Sequence, residues 1–403
     1  MSTNSGKRDE KIPVQPSGNS FLVDCLIMAL PILQSVFSTV NDPNEKNDLK
    51  TTPLTRWSAI DEREQVPDRM LSYSGFDSIL KVPLINGEYD LIFVKCLILI
   101  TALLAPLFVC CFMYDLPWYY GLLYAILEIR LKGTFISLMH CSSHTPIFKK
   151  SWWPLNYYVP VLGILLGQPP YTYQMHHLKM HHVENNGLND LSSTLLYDRD
   201  SILGFLHYYF RFLFFIIFEL TYYFVVTKRQ LKHALTSLAG ELSYYFIAYQ
   251  LWQINPVMTI FTMFIPFNTS RFGMMSGNWG QHALIDRASP LSDWGSSITV
   301  SNNHYNKESF MDGYHTSHHL NPRRHWRDHR RYMLDNETRF IKKGALIFEG
   351  IDFHGVWFYL MTKNYSKLAD HVVYIDGEQP DKAIVMAKLK ARARKFTKEE
   401  LTP

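Results

Sequence analysis

Residues 97–113, LILITALLAPLFVCCFM, carry no charged side chain, and with Leu91–Cys96 they reach the ~20 apolar residues needed to cross a bilayer. Lys95 sits near one end of this run, where its stem can snorkel to the interface. A second apolar stretch follows the tight connection Tyr114-Asp115 and runs from Leu116 to about Met139. Two more spans fit Ile202–Val226 and Leu242–Phe267, the latter without a charge. The expectation is an all-α, polytopic membrane helical bundle of about four spans; buried helices of a soluble protein are the alternative.

Composition agrees with this reading. Of the 403 residues 19% are charged, below the ~25% usual for soluble domains. The net charge of +4 is too small to suggest a nucleic-acid partner, and no nucleic-acid module is recognisable. Cys25, Cys96, Cys110, Cys111 and Cys141 form no C-x-x-C pair, which argues against a disulfide framework or a thiolate zinc site. The polar N-terminus, MSTNSGKRDEKIPVQPSGNS, does not read as a cleavable signal peptide. Residues 21–40 are apolar but broken by Asp24 and Pro31, which suits an interfacial or buried helix better than a span. Three regions are expected: an N-terminal polar arm and interfacial region over 1–88, a membrane domain over 89–345, and a basic C-terminal tail over 346–403. The tail ends in KAIVMAKLKARARKFTKEE, a helix suited to an anionic membrane surface or to solvent.

The 17 histidines are unevenly placed. His140 and His144 end the second apolar stretch. His176, His177, His181 and His182 form a second cluster, and His315, His318 and His319 a third. Asn278 and His282 follow the last span. On a helix, residues three or four apart share a face, so each cluster presents neighbouring side chains. Neutral imidazole is the commonest side-chain ligand for first-row metals. His140, His144, His177, His181, His182, His282, His315, His318 and His319 are nine imidazoles, too many for one ion and suited to two. Scattered surface histidines would not cluster three times beside apolar spans. Haem ligation would need histidines inside the spans, where only His207 qualifies.

One metal centre requires all clusters on one side of the membrane. The segment between His144 and His176 is apolar, yet a crossing there would separate the first two clusters. It therefore reads as interfacial or re-entrant, helped by Pro154, Pro160 and Pro169-Pro170. The excess of Lys and Arg around the clusters and the C-terminus assigns the metal side to the cytosol. One feature opposes this order: Lys228, Arg229 and Lys232, between the third and fourth spans, fall on the far side.

The order H-x-x-x-H, H-x-x-x-H-H, then two spans and H-x-x-H-H over residues 90–330 resembles the membrane fatty-acid desaturase superfamily. The resemblance implies a di-iron centre in a cytosolic helical cap above the bundle, which activates O2 and abstracts hydrogen from an unactivated C–H of a lipid chain. It implies the nine histidines as iron ligands, with Asn278 reaching a metal through water and no catalytic residue beyond the ligands. His176 and His177 compete for one ligand position; His177 is favoured because His181 lies four residues on. Asp312 and Glu184 are candidates to orient the rings. Glu128 sits toward the metal end of the second span and either contacts substrate or pairs with Lys132. Arg323 and Arg324 suit a phosphate or carboxylate headgroup, or an interfacial or internal contact.

No G-x-G-x-x-G follows a strand, no P-loop is present and no histidine lies in a His-Pro-Gly context. Electrons are therefore expected from a separate partner; the resemblance implies a haem cytochrome with its reductase, or a ferredoxin. The expected activity is O2-dependent introduction of a double bond into an acyl chain or lipid-like substrate, at the endoplasmic reticulum. H-x-x-x-H-H also occurs among hydroxylating relatives, so a hydroxylase, acetylenase or epoxidase on the same scaffold is the alternative. A non-enzymatic metal-handling protein is more remote, because its ligands would lie within the spans.

Overall fold

The computed structural model describes residues 84–374 and 380–401, and the interfacial or buried helix expected over 21–40 lies outside them. The chain is mostly helical. Helix α1 spans Leu91–Met113 and α2 spans Trp118–His144, paired antiparallel through the short turn at Asp115. The start of α1 lies at the level of the histidine clusters, because Asp90 Oδ1 is 3.1 Å from His325 Nε2. The end of α2 lies there too, since it delivers His140 and His144.

The segment after α2 enters the bundle and returns. Tyr124, sixteen residues before His140 and so about 24 Å along the helix axis, donates its hydroxyl to the Leu165 carbonyl. Ser270 donates to Leu166 from another helix. Gly167, at φ 75°, packs so closely on Pro266 that an added Cβ would lie 2.1 Å from its carbonyl carbon. The chain then climbs through α3, Thr172–His176, into one π-helical turn at His177–His181. Both ends of residues 145–175 thus sit at the histidine level.

Helix α4, Ile202–Tyr222, continues through a π turn to Thr227. By length and mean hydropathy, residues 202–227 and α1 are candidate membrane spans. Yet the third expected span does not run away from the histidines. Near its start Tyr208 accepts a hydrogen bond from Asn278, and at its end Tyr223 donates to Glu184, two residues past His182. A perpendicular helix of this length would separate its ends by more than 30 Å. Both ends return to one level, so α4 lies across the bundle. Lys228 pairs with Glu184 at 2.6 Å, which brings the basic group 228–232 to the histidine side and removes the opposing feature in the charge pattern.

The fourth expected span is corrected. Residues 242–267 do not form one helix: α5, Leu231–Ile254, descends and stops at Asn255. Pro256 opens a new helix that rises, through a π turn, into α6, Ile265–Gln281. The reason is local. Pro256 lacks an N–H and suits a first helical position, while the Asn255 side chain accepts from the Met258 N–H. Trp118, at the start of α2, stacks on Phe261 beyond this turn. Gly240 of α5 allows contact with the re-entrant segment, because a Cβ there would lie 1.7 Å from the Pro170 carbonyl oxygen.

Above the bundle, β1 (Ile298–Ser301) pairs in parallel with β2 (Leu346–Glu349), Ile298 opposite Leu346. This pair departs from the all-α expectation; β-branched Ile298, Thr299 and Val300 suit the buried pleat. Helix α7, His315–Leu320, carries the third histidine cluster, and α8, Phe353–Met361, packs on α6. Helix α9, Lys382–Arg392, buries Val385 and Leu389 against the cap, so the basic C-terminal helix has a protein partner.

Candidate metal centre

The nine predicted histidines converge, but as two groups. His140, His144, His177, His182 and His318 form one, and His181, His282, His315 and His319 the other. Within each group the potential ligand atoms all lie within 4.8 Å of one another. In the first, Nε2–Nε2 distances are 2.9 Å for His140–His318, 3.2 Å for His144–His177, 3.0 Å for His177–His182 and 2.9 Å for His182–His318. In the second they are 3.3 Å for His282–His315 and 3.0 Å for His315–His319.

Local helix geometry decides the division. The π turn at His177–His181 has a wider repeat than an α-helix, so His177 aligns with His182, five residues on. His181 then faces the second group. His177 is the histidine that joins a group, though for this reason rather than through an i,i+4 partnership with His181. On α7, His315 and His319 are one α-helical turn apart and share the second group, while His318 turns to the first.

The ring orientations test whether a cation fits. His181 Nδ1 lies 2.7 Å from Asp190 Oδ2, His282 Nδ1 2.7 Å from the Ser296 carbonyl and His319 Nδ1 3.0 Å from Asn185 Oδ1. Each is the geometry of Nδ1–H donating outward, which leaves an Nε2 lone pair for the interior. Three such lone pairs meet one further imidazole, His315, so a single N–H cannot satisfy them. A cation can. In the first group, His140 Nδ1 lies 2.8 Å from Asp312 Oδ1. Burial and the neighbouring imidazoles push His177, His182, His315, His318 and His319 well below the ordinary histidine value, and His282 to about 3. The rings are therefore neutral donors, as a metal ligand must be. Burial alone would raise the Asp190 carboxyl, but His181 and its other partners bring it to about 2.

A cavity of about 390 Å³ opens beside both groups. Its wall includes His140 and His177 from the first and His181 and His315 from the second. Among known families, the fatty acid desaturase model matches residues 115–349, more than half of the chain. The chain belongs to the fatty acid desaturase family. No curated protein and no solved structure matched the chain. That family is typically membrane-bound and acts as an oxidoreductase on acyl substrates, and its histidine cluster is compatible with iron.

In this desaturase-family chain the remaining expected residues separate clearly. His176 joins neither group; its ring meets Phe212 edge-on at 5.2 Å and its Nε2 has no hydrogen-bond partner. Asn278 is held by its amide nitrogen, which donates to Tyr208 Oη at 2.7 Å and to the Ser192 carbonyl. Asp312 orients His140 and accepts from Tyr305. Glu184, expected to orient a ring, instead binds Lys228 and Tyr223. Glu128 pairs with Lys132 at 2.9 Å. Arg324 donates to the Ser317 carbonyl and lies over the Tyr332 ring, away from the large cavity, and Arg323 is exposed.

Asp190, Asn185 and Ser296 were missed by sequence reasoning. Asp190 and Asn185 lie within ten residues of His182 in ENNGLND, and a search for acceptors just past the cluster would have found both. Ser296 contributes only its carbonyl, which leaves no signal.

Proposed function

We propose that the protein is a membrane-embedded, O2-dependent di-iron oxidoreductase that introduces a double bond into an acyl chain or related lipid-like substrate. The carrying observation is the cavity whose wall draws histidines from both groups, so that a bound chain lies against both. One iron would be held by the five-histidine group and the other by the four-histidine group, with Asn278 as a water-mediated contact. When bound, such a pair supplies O2 activation and hydrogen removal from an unactivated C–H. The protein's own contribution is positional. Asp190, Asp312, Asn185 and the Ser296 carbonyl fix the ring orientations, and the apolar wall formed by Ile129, Ile136, Phe212 and Met275 aligns the chain and excludes water.

Removing two hydrogens while reducing one O2 to two waters consumes two electrons and two protons. These electrons come from a separate haem cytochrome with its reductase, or a ferredoxin. The proposed membrane crossings are α1, α2, α5 and the helix from Pro256 through α6, with α4 in the interface. The histidine side carries Lys228, Arg229 and Lys232 as well as the basic C-terminal helix, which supports a cytosolic orientation, with the endoplasmic reticulum as the site.

Expression in a host lacking its own desaturases, followed by mass spectrometry of total lipids, tests this reading. The expected result is a lipid lighter by two hydrogens, lost on His318→Ala, together with about two irons per purified chain, one per histidine group. A product gaining oxygen would assign hydroxylation. Folded, iron-fed protein with no iron would overturn the di-iron assignment.

A further inference from the structure

The wall of the cavity is not uniformly apolar. Gln168, 3% exposed, and Thr172, 6% exposed, both face it, as does His176. Buried polar groups normally find partners, because leaving one unsatisfied is destabilising. Here Thr172 Oγ1 and His176 Nε2 have none. The Gln168 amide nitrogen meets only the Met274 sulfur at 3.5 Å, a weak acceptor. Thr172 and His176 lie one helical turn apart on α3, so they present adjacent groups.

The cavity also contains two cations, and both are neutralised. Lys132 pairs with Glu128 at 2.9 Å and Arg271 with Glu241 at 2.5 Å. Lys132 further donates to the Pro266 carbonyl and to Thr269, and Arg271 lies over the Phe267 ring. No net positive charge remains to draw a carboxylate inward. Gln168, Thr172 and His176 are uncharged, and between them they both donate and accept; of the other wall groups without a hydrogen-bond partner, Asp312 Oδ1 faces His140 and His315 Nδ1 belongs to the second histidine group. A hydroxyl matches the first three, since it also donates and accepts.

Resting on the reading of this cavity as the substrate site, we propose that Gln168, Thr172 and His176 recognise a hydroxyl group on the lipid substrate, held inside the cavity. They would act as specificity-determining residues, placing the substrate's C–H bonds in register with the two histidine groups.

The test uses iron-loaded full-length protein in detergent and three probes of equal chain length: hexadecan-1-ol, palmitate and hexadecane. Binding is measured by displacement of a fluorescent lipid. The expected result is that hexadecan-1-ol binds at least about tenfold more tightly than either other probe, because a site built to hydrogen-bond a group rejects analogues lacking it. Thr172→Val and Gln168→Leu should cut that preference to about twofold, with iron content unchanged and melting temperature unchanged or raised, because neither variant loses a strong internal hydrogen bond. His176→Phe should act likewise. Equal binding of all three probes, or a preference for palmitate, would overturn hydroxyl recognition while leaving the substrate cavity standing. Failure of all three to displace the fluorescent lipid would overturn the substrate-site reading itself. Variants that keep the full preference would overturn the assignment to these residues.

Discussion

At the scale of single residues, the site depends on which ring nitrogen each imidazole turns inward. Asp190 and Asp312 do this for His181 and His140, one in each group. Asp190→Asn and Asp312→Asn should therefore weaken iron retention about 10–100-fold while helical content stays unchanged. Iron analysis after dialysis against graded chelator, beside far-UV circular dichroism, measures both. Retention equal to wild type would show that the rings are set by packing alone. Neighbouring histidines give the contrasting case. His177→Ala should empty the five-histidine group, and His176→Ala should leave iron content intact, because its ring meets Phe212 rather than another ligand. If iron followed His176 instead, the division at the π turn would be wrong.

At the scale of elements, the decisive feature is that α4 is apolar enough to cross yet lies across the bundle. Glu184 holds it there through Tyr223 and Lys228. Single cysteines for impermeant thiol labelling separate the two arrangements. Arg229→Cys and Lys150→Cys, both at exposed positions, should label from the same side, and Asp115→Cys, between α1 and α2, from the other. Labelling of Arg229→Cys together with Asp115→Cys would restore α4 as a crossing helix. The four described cysteines are buried or half-buried, which limits background.

At the scale of the whole molecule, Arg199 joins distant parts of the cap. Its fully buried guanidinium reaches the carbonyls of Thr194, Leu195, Tyr197, Ala283, Arg392 and Arg394 at 2.5–3.2 Å. These acceptors come from the segment after the second histidine cluster, from the residue after His282 and from the C-terminal helix. Arg199→Leu strands them together, so it should destabilise the protein by about 3–5 kcal/mol. A lowered melting temperature of the iron-loaded protein, with residues 382–401 becoming protease-sensitive, would register the loss. An unchanged melting curve would mean that the C-terminal helix is held by Val385, Leu389 and the Arg392–Asp286 pair instead.

The amino-acid sequence by itself determined which histidines come together. Histidine spacing and its position beside apolar runs are local properties, and all nine expected imidazoles converge. The same logic placed 145–175 with both ends on one side, because His144 and His177 had to meet. The division of the histidines into two groups was decided by tertiary structure, since a π turn and an α turn at similar spacing send side chains in different directions. So was the course of α4: hydropathy measures whether a helix tolerates lipid, whereas its direction depends on contacts such as Tyr223 with Glu184, made 39 residues apart. The Asn255-Pro256 break was visible in sequence, but the absence of charge around it masked the signal. The unsatisfied wall of Gln168, Thr172 and His176 had no sequence signature at all. It exists only where the re-entrant segment, α5 and α6 meet, and that meeting depends on close packing of chain segments far apart in sequence.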